Sequence, residues 1–167
     1  VPQFLPTQRS HRLPRWDDVV RPGVRLVLVT EQGLGDALQF IRFAAPLADA
    51  GVTVLVSTQA PLRRLLATAP GVTAVFGPDD PPPAADAELP LLSLPGVLKI
   101  GDDVPPAPYL TADADRPLAR ALLPADGRPR IGLAWAGSAL HSNDRRRSMR
   151  LADLAPLLRG ESAHWQA

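Results

Sequence analysis

Short apolar runs alternate with helical segments along the first half of the chain, and this alternation constrains the fold more than any other feature. Residues 25–30, 52–56 and 72–76 are rich in β-branched and aliphatic side chains, which is typical of buried strands. Between them, the apolar residues of 37–50 recur at helical spacing, and 60–69 is predicted as a second helix with Pro61 near its first turn. Strands that alternate with helices through short joints form a parallel sheet with right-handed crossovers. The sequence therefore predicts an α/β fold with a Rossmann-like parallel sheet.

Proline concentrates in the part of the chain that follows these elements. Of the 20 prolines, 12 lie between Pro78 and Pro129, so no regular helix or strand crosses that stretch without interruption. Hydrophobic residues make up 46% of the chain, which is too many for a disordered tail. We therefore expect short elements there. They are a strand at 89–94, an extended segment at 104–110 and a helix at 117–123.

A second strand–helix unit is predicted near the end of the chain. Residues 130–135 form an apolar run typical of a buried strand, with Trp135 in the core, and a helix is expected at 151–159. One strand and one helix cannot bury a sheet face by themselves, so they either extend the first sheet or begin a second domain. We expect a lead-in at 1–22, a Rossmann-like domain at 23–127 and the beginning of a truncated second domain at 128–167.

Composition excludes several classes of protein. The chain has no cysteine, which rules out disulfides, thiolate zinc sites, iron–sulfur clusters and cysteine nucleophiles. Its longest uncharged run, 65–78, is shorter than the roughly 20 residues that a membrane span needs. A net charge of +1 and an aromatic content of 5% argue against nucleic-acid binding. No signal peptide is visible, and we expect a cytoplasmic location.

The segment after the first predicted strand, Glu31-Gln-Gly-Leu-Gly-Asp36, has the residues of a ligand-binding turn. Ligands of open parallel sheets bind at the carboxyl ends of the strands, where this segment lies. Gly33 and Gly35 allow positive φ angles and close approach of a ligand, and the N–H groups of the next helix favour anions. The segment lacks the third glycine of a dinucleotide fingerprint, and no phosphate-loop Gly-Lys-Ser/Thr is present.

Asp36 has two interpretations. It can be the N-cap of the helix, where aspartate is among the best residues. It can also be a general base that takes a proton from a substrate hydroxyl at the mouth of a cleft. The two roles are compatible. The side chains expected to frame the same pocket, each of them also plausible as a solvated or capping residue, are Glu31, Gln32, Gln39 and Arg42.

A second candidate loop follows the strand predicted at 130–135. It contains three consecutive arginines, whose permanently charged guanidinium groups make bidentate contacts with phosphate. The loop therefore predicts a diphosphate-binding site, with a solvated basic loop as the alternative. Its candidate residues are Gly137, His141, Asn143, Arg146, Arg147 and Ser148; His141 is in the right place to assist, but a lone histidine is more often structural. The sequence shows no cluster of metal ligands, and no metal is expected.

Several motifs together resemble a known family. They are the Glu31–Arg42 segment Glu-Gln-Gly-Leu-Gly-Asp-Ala-Leu-Gln-Phe-Ile-Arg, then Leu91-Leu-Ser-Leu-Pro95, Pro108-Tyr-Leu110, Ile131-Gly-Leu-Ala-Trp-Ala-Gly137 and Asn143-Asp-Arg-Arg-Arg-Ser148. In order and spacing they resemble a bacterial domain often fused behind tetratricopeptide repeats, which is similar to glycosyltransferase family nine, the heptosyltransferases. The resemblance covers about Trp16 to the end of the chain. The first and the last of these motifs together are specific for the family. Any one motif alone is not.

The resemblance implies a GT-B fold, in which an acceptor-side and a nucleotide-sugar-side Rossmann-like domain face each other across a cleft. It implies that Asp36 is the base on the acceptor hydroxyl and that a residue near Arg147 meets the donor diphosphate. It further implies an inverting, metal-independent transfer from a nucleotide-sugar to a glycan, lipid or protein acceptor, with no cofactor. In the family the second domain is much longer, so this chain is expected to be incomplete as a catalyst.

Two alternatives remain open. The first is a non-catalytic scaffold of a repeat protein, which binds a glycan or a protein. The second is a nucleotide-binding switch, which would bind phosphate at Gly33 to Asp36 and would lose that binding on Gly35→Val.

Overall fold

The computed structural model describes residues 13–31, 33–101, 104, 108–112, 126–137, 143–160 and 162–166. The chain divides into two compact units, Val1–Asp113 and Ala114–Ala167. The first unit thus ends earlier than the domain boundary expected after residue 127. The helix expected at 117–123 and the candidate site residues Gln32 and His141 lie outside the described residues.

The first unit is built on a sheet of four parallel strands. In chain order they are β1 (Arg25–Val29), β2 (Thr53–Ser57), β3 (Val72–Phe76) and β4 (Ala87–Pro90). Their order across the sheet is β3-β2-β1-β4, with Val27 of β1 level with Leu55 of β2 and Glu88 of β4. The chain thus runs outward from β1 to β3 and then returns to the other side of β1. This confirms the predicted Rossmann-like α/β fold.

The helices of this unit are shorter than the sequence predicts. They are α1 (Leu34–Phe40), α2 (Ala44–Asp49), α3 (Arg63–Leu66) and α4 (Leu94–Val97), with 3-10 turns at Ile41–Phe43, Ala60–Leu62 and Leu91–Ser93. The helix expected at 37–50 therefore begins earlier and is interrupted in its middle. The strand expected at 89–94 is wrong in its second half, because the backbone turns into a 3-10 helix after Pro90.

The main core lies between the helices and one face of the sheet. Successive side chains of a strand point to opposite faces of the sheet, so every second residue of each apolar strand points to this face. Burying one such aliphatic side chain stabilises a fold by about 1.5–3 kcal/mol. The fully buried residues of this core include Leu26, Leu28, Ile41, Leu47, Val54, Val56, Leu66, Leu89, Leu91 and Leu94.

The opposite face of the sheet receives the proline-rich connection from β3 to β4. Val27, Leu55 and Phe76 are buried on this face, and Ala85 of the connection packs against them. A right-handed crossover back across the sheet has to pass on the face away from the helices. Extended proline-rich chain spans about 3.1 Å per residue, enough to pass over the two intervening strands, β2 and β1, without a helix. The proline-rich part of the chain thus begins in the crossover connection from β3 to β4.

Gly51 ends α2 as the sequence predicts. Its φ angle is +83°, in the left-handed region where glycine carries no steric penalty. The N–H of Gly51 donates to Ala48 O (2.9 Å), and the N–H of Val52 donates to Leu47 O (3.1 Å). These two bonds form a Schellman motif, which satisfies the last carbonyls of the helix and directs the chain into β2.

The end of the expected lead-in belongs to the folded unit. Residue 15 forms a parallel bridge with Glu88, and the N–H of Trp16 donates to Glu88 O at 2.9 Å. The indole of Trp16 is buried in the main core and is only 3% exposed. Trp16 therefore closes the edge of the sheet beside β4, a role that its surrounding charged and proline residues gave no sign of.

The second unit contains a two-stranded parallel sheet of β5 (Arg130–Gly132) and β6 (His164–Gln166). Its helical turns are α5 (Asp144–Arg147), Leu151–Leu154 and α6 (Ala155–Leu158). The expectation of a buried strand at 130–135 is wrong, because all three residues of β5 are exposed and Trp135 is only partly buried. β6 was not predicted. None of the helices in the described ranges is long and apolar enough to cross a membrane.

Candidate functional site

The carboxyl edge of the four-stranded sheet is closed by threonines that follow the strands. The N–H of Thr30, after β1, donates to Ser57 O (2.9 Å), and the N–H of Thr58, after β2, donates to Phe76 O (2.9 Å). The hydroxyls of Thr30 and Thr58 are 3.0 Å apart and hydrogen-bonded. These bonds extend the ladder one residue beyond the strands. They fix the point at which the chain leaves β1 and turns into α1.

Asp36 lies in the first turn of α1, directly beyond this edge. Gly33 is the N-cap, and its N–H donates to Asp36 Oδ2 at 3.1 Å. Asp36 is therefore not the N-cap expected from the sequence but the third helical residue, whose carboxylate reaches back to the cap. No other hydrogen bond to this carboxylate occurs within the described part of the chain. Asp36 is partly buried, and its Oδ1 is available to accept a proton from a ligand.

The two glycines of this turn do not use positive φ angles. Gly33 has a φ of −83°, and Gly35 lies within α1. A Cβ atom at Gly35 would meet nothing within 4 Å. Packing against the described residues therefore does not require a glycine at this position. What Gly35 provides is a bare stretch of backbone, next to Asp36, that a ligand can approach.

The turn after β4 lies beside α1. The 3-10 helix Leu91–Ser93 packs against α1, and β4 is the strand on the far side of β1. In doubly wound sheets, the crevice between two strands whose connections leave in opposite directions is the usual ligand site. Here that crevice lies between the ends of β1 and β4. Asp36 and Ser93 come from the two elements that flank it.

Arg42 is bound to Tyr109, which is a partner that the sequence did not suggest. Arg42 Nη2 donates to the Tyr109 hydroxyl at 2.9 Å, and its Cζ lies 4.4 Å from the centre of the tyrosine ring. Arg42 Nε donates to Gln39 O at 2.9 Å. The guanidinium group therefore holds chain segments together. Gln39 is exposed, and Glu31 is partly buried at the start of the turn.

The candidate loop of the second unit brings three of its expected residues together. The N–H of Gly137 donates to Ser148 Oγ (2.9 Å), and Ser148 Oγ donates to Asp144 Oδ1 (2.5 Å). A Cβ atom at Gly137 would lie 3.2 Å from Arg147 Nη2, so the guanidinium group lies directly against this glycine. Asn143 is the N-cap of α5, and Arg146 is exposed on it.

An ion-pair cluster in the second unit was missed by the sequence interpretation. Asp126 pairs with Arg128 (Nη2 to Oδ2, 2.7 Å), and His164 Nε2 lies 2.8 Å from Asp126 Oδ1. Hydrogen bonds from Arg128 and then from His164 hold the pKa of Asp126 well below its ordinary value of 3.8. The cluster joins the turn before β5 to the start of β6. In the sequence, the Asp-Gly turn at 126–127 is the one local feature that marks the position of this cluster.

Within the described ranges, no three histidine, aspartate or glutamate side chains are grouped to hold a metal ion. No family model, curated protein or solved structure matches the chain. Fold and site geometry together define an α/β protein whose first unit is Rossmann-like. That unit presents a carboxylate at the carboxyl edge of its sheet.

Proposed function

We propose that the chain is part of a glycosyltransferase of the GT-B type, which moves a sugar from a nucleotide-sugar to an acceptor hydroxyl. One observation carries the proposal. Among the residues that the structure describes, Asp36 is held by Gly33 alone and through one oxygen, beside the crevice between β1 and β4. A carboxylate with a free oxygen at this edge is placed to act as a base on a bound hydroxyl.

The proposed reaction is a single inverting displacement. Asp36 Oδ1 takes the proton of the acceptor hydroxyl while that oxygen attacks the anomeric carbon of the donor. The bond between this carbon and the diphosphate oxygen breaks, and the diphosphate leaves with the electron pair. A positive group beside the leaving oxygens lowers the barrier, because negative charge develops there in the transition state.

Arg147 is the residue proposed for this second role. Its guanidinium group lies against the backbone of Gly137, and Ser148 holds the N–H of the same glycine. These contacts hold Arg147 next to Gly137, with the exposed Arg146 beside it. Guanidinium groups bind phosphate oxygens in pairs, which suits a diphosphate. We propose that the donor is a substrate, that no cofactor takes part, and that the acceptor is a glycan, a lipid or a protein.

The test of Asp36 uses the product of the complete reading frame and measures nucleotide-sugar turnover. Asp36→Asn keeps the size of the side chain and removes the basic oxygen, so we expect a rate loss of about 10²–10⁴-fold. Asp49→Asn is the matched control, because Asp49 is an exposed carboxylate at the end of α2. A rate for Asp36→Asn within a few-fold of wild type would show that Asp36 is not the base.

A calorimetric titration with ADP, UDP, GDP and CDP tests the donor side and separates the transferase from the scaffold. We expect one of them to bind, and Arg147→Gln to weaken that binding. The loss of a paired charged contact corresponds to about ten- to a hundredfold in Kd. Arg159→Gln, at an exposed arginine outside the loop, is the control. If no nucleoside diphosphate binds, the scaffold alternative is favoured.

A further inference from the structure

A short segment of chain, 108–112, crosses the helical layer of the first unit and is attached to it at two points. We call this segment the strap. The Tyr109 hydroxyl donates to Leu38 O at 2.7 Å, and the N–H of Thr111 donates to Thr68 Oγ1 at 3.0 Å. Tyr109 also packs against the main core. The first attachment joins the strap to α1, which contains Leu38. The second joins it to the residues after α3, where Thr68 lies.

The first attachment lies where the helix carrying Asp36 is interrupted. The N–H of Ile41 donates to Ala37 O, and a 3-10 turn then replaces the α-helix. The carbonyl after that of Ala37 belongs to Leu38, and it accepts the Tyr109 hydroxyl. A side chain that inserts into the hydrogen-bond ladder is a recognised cause of helix bending. The Tyr109 hydroxyl of the strap is thus hydrogen-bonded to α1 close to the point where the α-helix gives way to the 3-10 turn.

Arg42 fixes the tyrosine in this position. Its Nη2 donates to the same hydroxyl at 2.9 Å, so the Tyr109 oxygen both gives and receives a hydrogen bond. The guanidinium group also covers the tyrosine ring, which adds a cation–π attraction. Arg42 lies in the 3-10 turn itself. Tyr109 is therefore bound by residues on both sides of the break.

We propose that Tyr109 is a positioning residue for Asp36. Asp36 and Leu38 are two residues apart in α1, which is about 3 Å along the helix axis. A hydroxyl that fixes the end of this short helix also fixes the orientation of its first turn. This role of Tyr109 depends on the proposed function in one respect, which is that Asp36 is the base. It predicts that removing one oxygen atom from Tyr109 loosens α1 and slows the transfer step.

Hydrogen exchange of the free protein tests the structural half of this proposal. Tyr109→Phe keeps the ring and removes both hydrogen bonds, so amides of 34–43 should exchange about three- to tenfold faster. Thr68→Val is the matched control, because it releases the strap at Thr111 without touching α1. Unchanged exchange in Tyr109→Phe, or equal acceleration of 34–43 in both variants, would overturn the proposal. If Tyr109→Phe does not fold, Arg42→Met tests the same contact.

Turnover by the product of the complete reading frame tests the catalytic half. A displaced base slows chemistry more than it weakens donor binding, so Tyr109→Phe should lower kcat about tenfold and leave the donor KM within about twofold. Thr68→Val should leave both constants near wild type. Faster exchange without a fall in kcat would refute the positioning role. Whether Asp36 is the base is tested separately, by the turnover rate of Asp36→Asn.

Discussion

The main-chain N–H of Gly33 and the carboxylate of Asp36 are joined by a hydrogen bond of 3.1 Å that closes the first turn of α1. The bond uses Oδ2 and leaves Oδ1 without a protein donor in the ranges that the structure describes. One side chain thus stabilises the helix start and presents an acceptor to a ligand. The two roles that the sequence suggested for Asp36 are therefore separable by substitution.

The first prediction concerns the stabilising role of Asp36. Asp36→Ala removes the bond to Gly33 and a negative charge at the helix start, which should lower the free energy of unfolding by about 1 kcal/mol. Asp36→Asn keeps an acceptor oxygen and should cost less than Asp36→Ala. Urea unfolding of the two variants measures the difference. Equal stability of Asp36→Ala and wild type would show that the bond contributes nothing.

A second prediction concerns Gly35, where stability and function should change in opposite directions. A Cβ atom there meets nothing within 4 Å, and alanine is the better helix former. Gly35→Ala should therefore raise the free energy of unfolding by about 0.5–1 kcal/mol. If a ligand approaches this backbone, the same change should slow turnover. A thermal melt and a turnover assay of one preparation test both effects. Lower stability would mean that the packing inferred here is wrong.

A third prediction tests whether the segment before β1 belongs to the fold. Trp16 is buried in the main core, so Trp16→Ala should lower the free energy of unfolding by about 3–5 kcal/mol. Val19 lies three residues later and is 50% exposed. Val19→Ala should therefore change the stability by less than about 0.5 kcal/mol. Comparable effects of the two substitutions in urea unfolding would place Trp16 outside the core.

The fourth prediction concerns acidification of the second unit. The pKa of Asp126 is lowered in the folded state by Arg128 and His164. The unfolded chain therefore binds a proton at a higher pH than the folded chain does, and stability falls as protons bind. The contribution of Asp126 is fully present above its ordinary pKa of 3.8 and is lost as the pH falls from there towards the lower folded-state value.

Thermal melts between about pH 2 and 6 measure this dependence. Asp126→Asn cannot titrate, so its stability should decline less steeply below pH 4 than that of the wild type. Melts followed by tryptophan fluorescence are suitable, since Trp165, one of the three tryptophans, lies in β6 next to His164. Parallel pH curves for the two proteins would contradict the assignment.

Local sequence patterns accounted for most of the first sheet. β1, β2 and β3 were predicted within a residue or so at each end, because short runs of β-branched and aliphatic residues bounded by glycine and proline are typical of buried strands. Gly51 was predictable for a similar reason, since a helix end needs a left-handed residue. The glycine turn with Asp36 was located from its place after a strand. The strands, the helix end at Gly51 and the turn with Asp36 are determined by residues that are close together in the sequence.

Other features depended on residues far apart in sequence. The break after α1 coincides with Tyr109, which is 71 residues from Leu38, and no local pattern announces that contact. Trp16 is buried because it meets β4, and the strand at β5 is exposed because its described pairing is with β6 alone. The paired groups of Asp126 and His164 likewise lie 38 residues apart in the sequence.

The sequence by itself determined the class of fold, the strands of its first half and the turn that carries Asp36, because hydrophobic period and glycine placement act over a few residues. Tertiary structure alone decided where the helix breaks and what Arg42 holds. Those outcomes depend on hydrogen bonds between groups brought together only when the sheet and its helices pack. Asp36 was visible in the sequence as a candidate, but the strap that holds its helix was not.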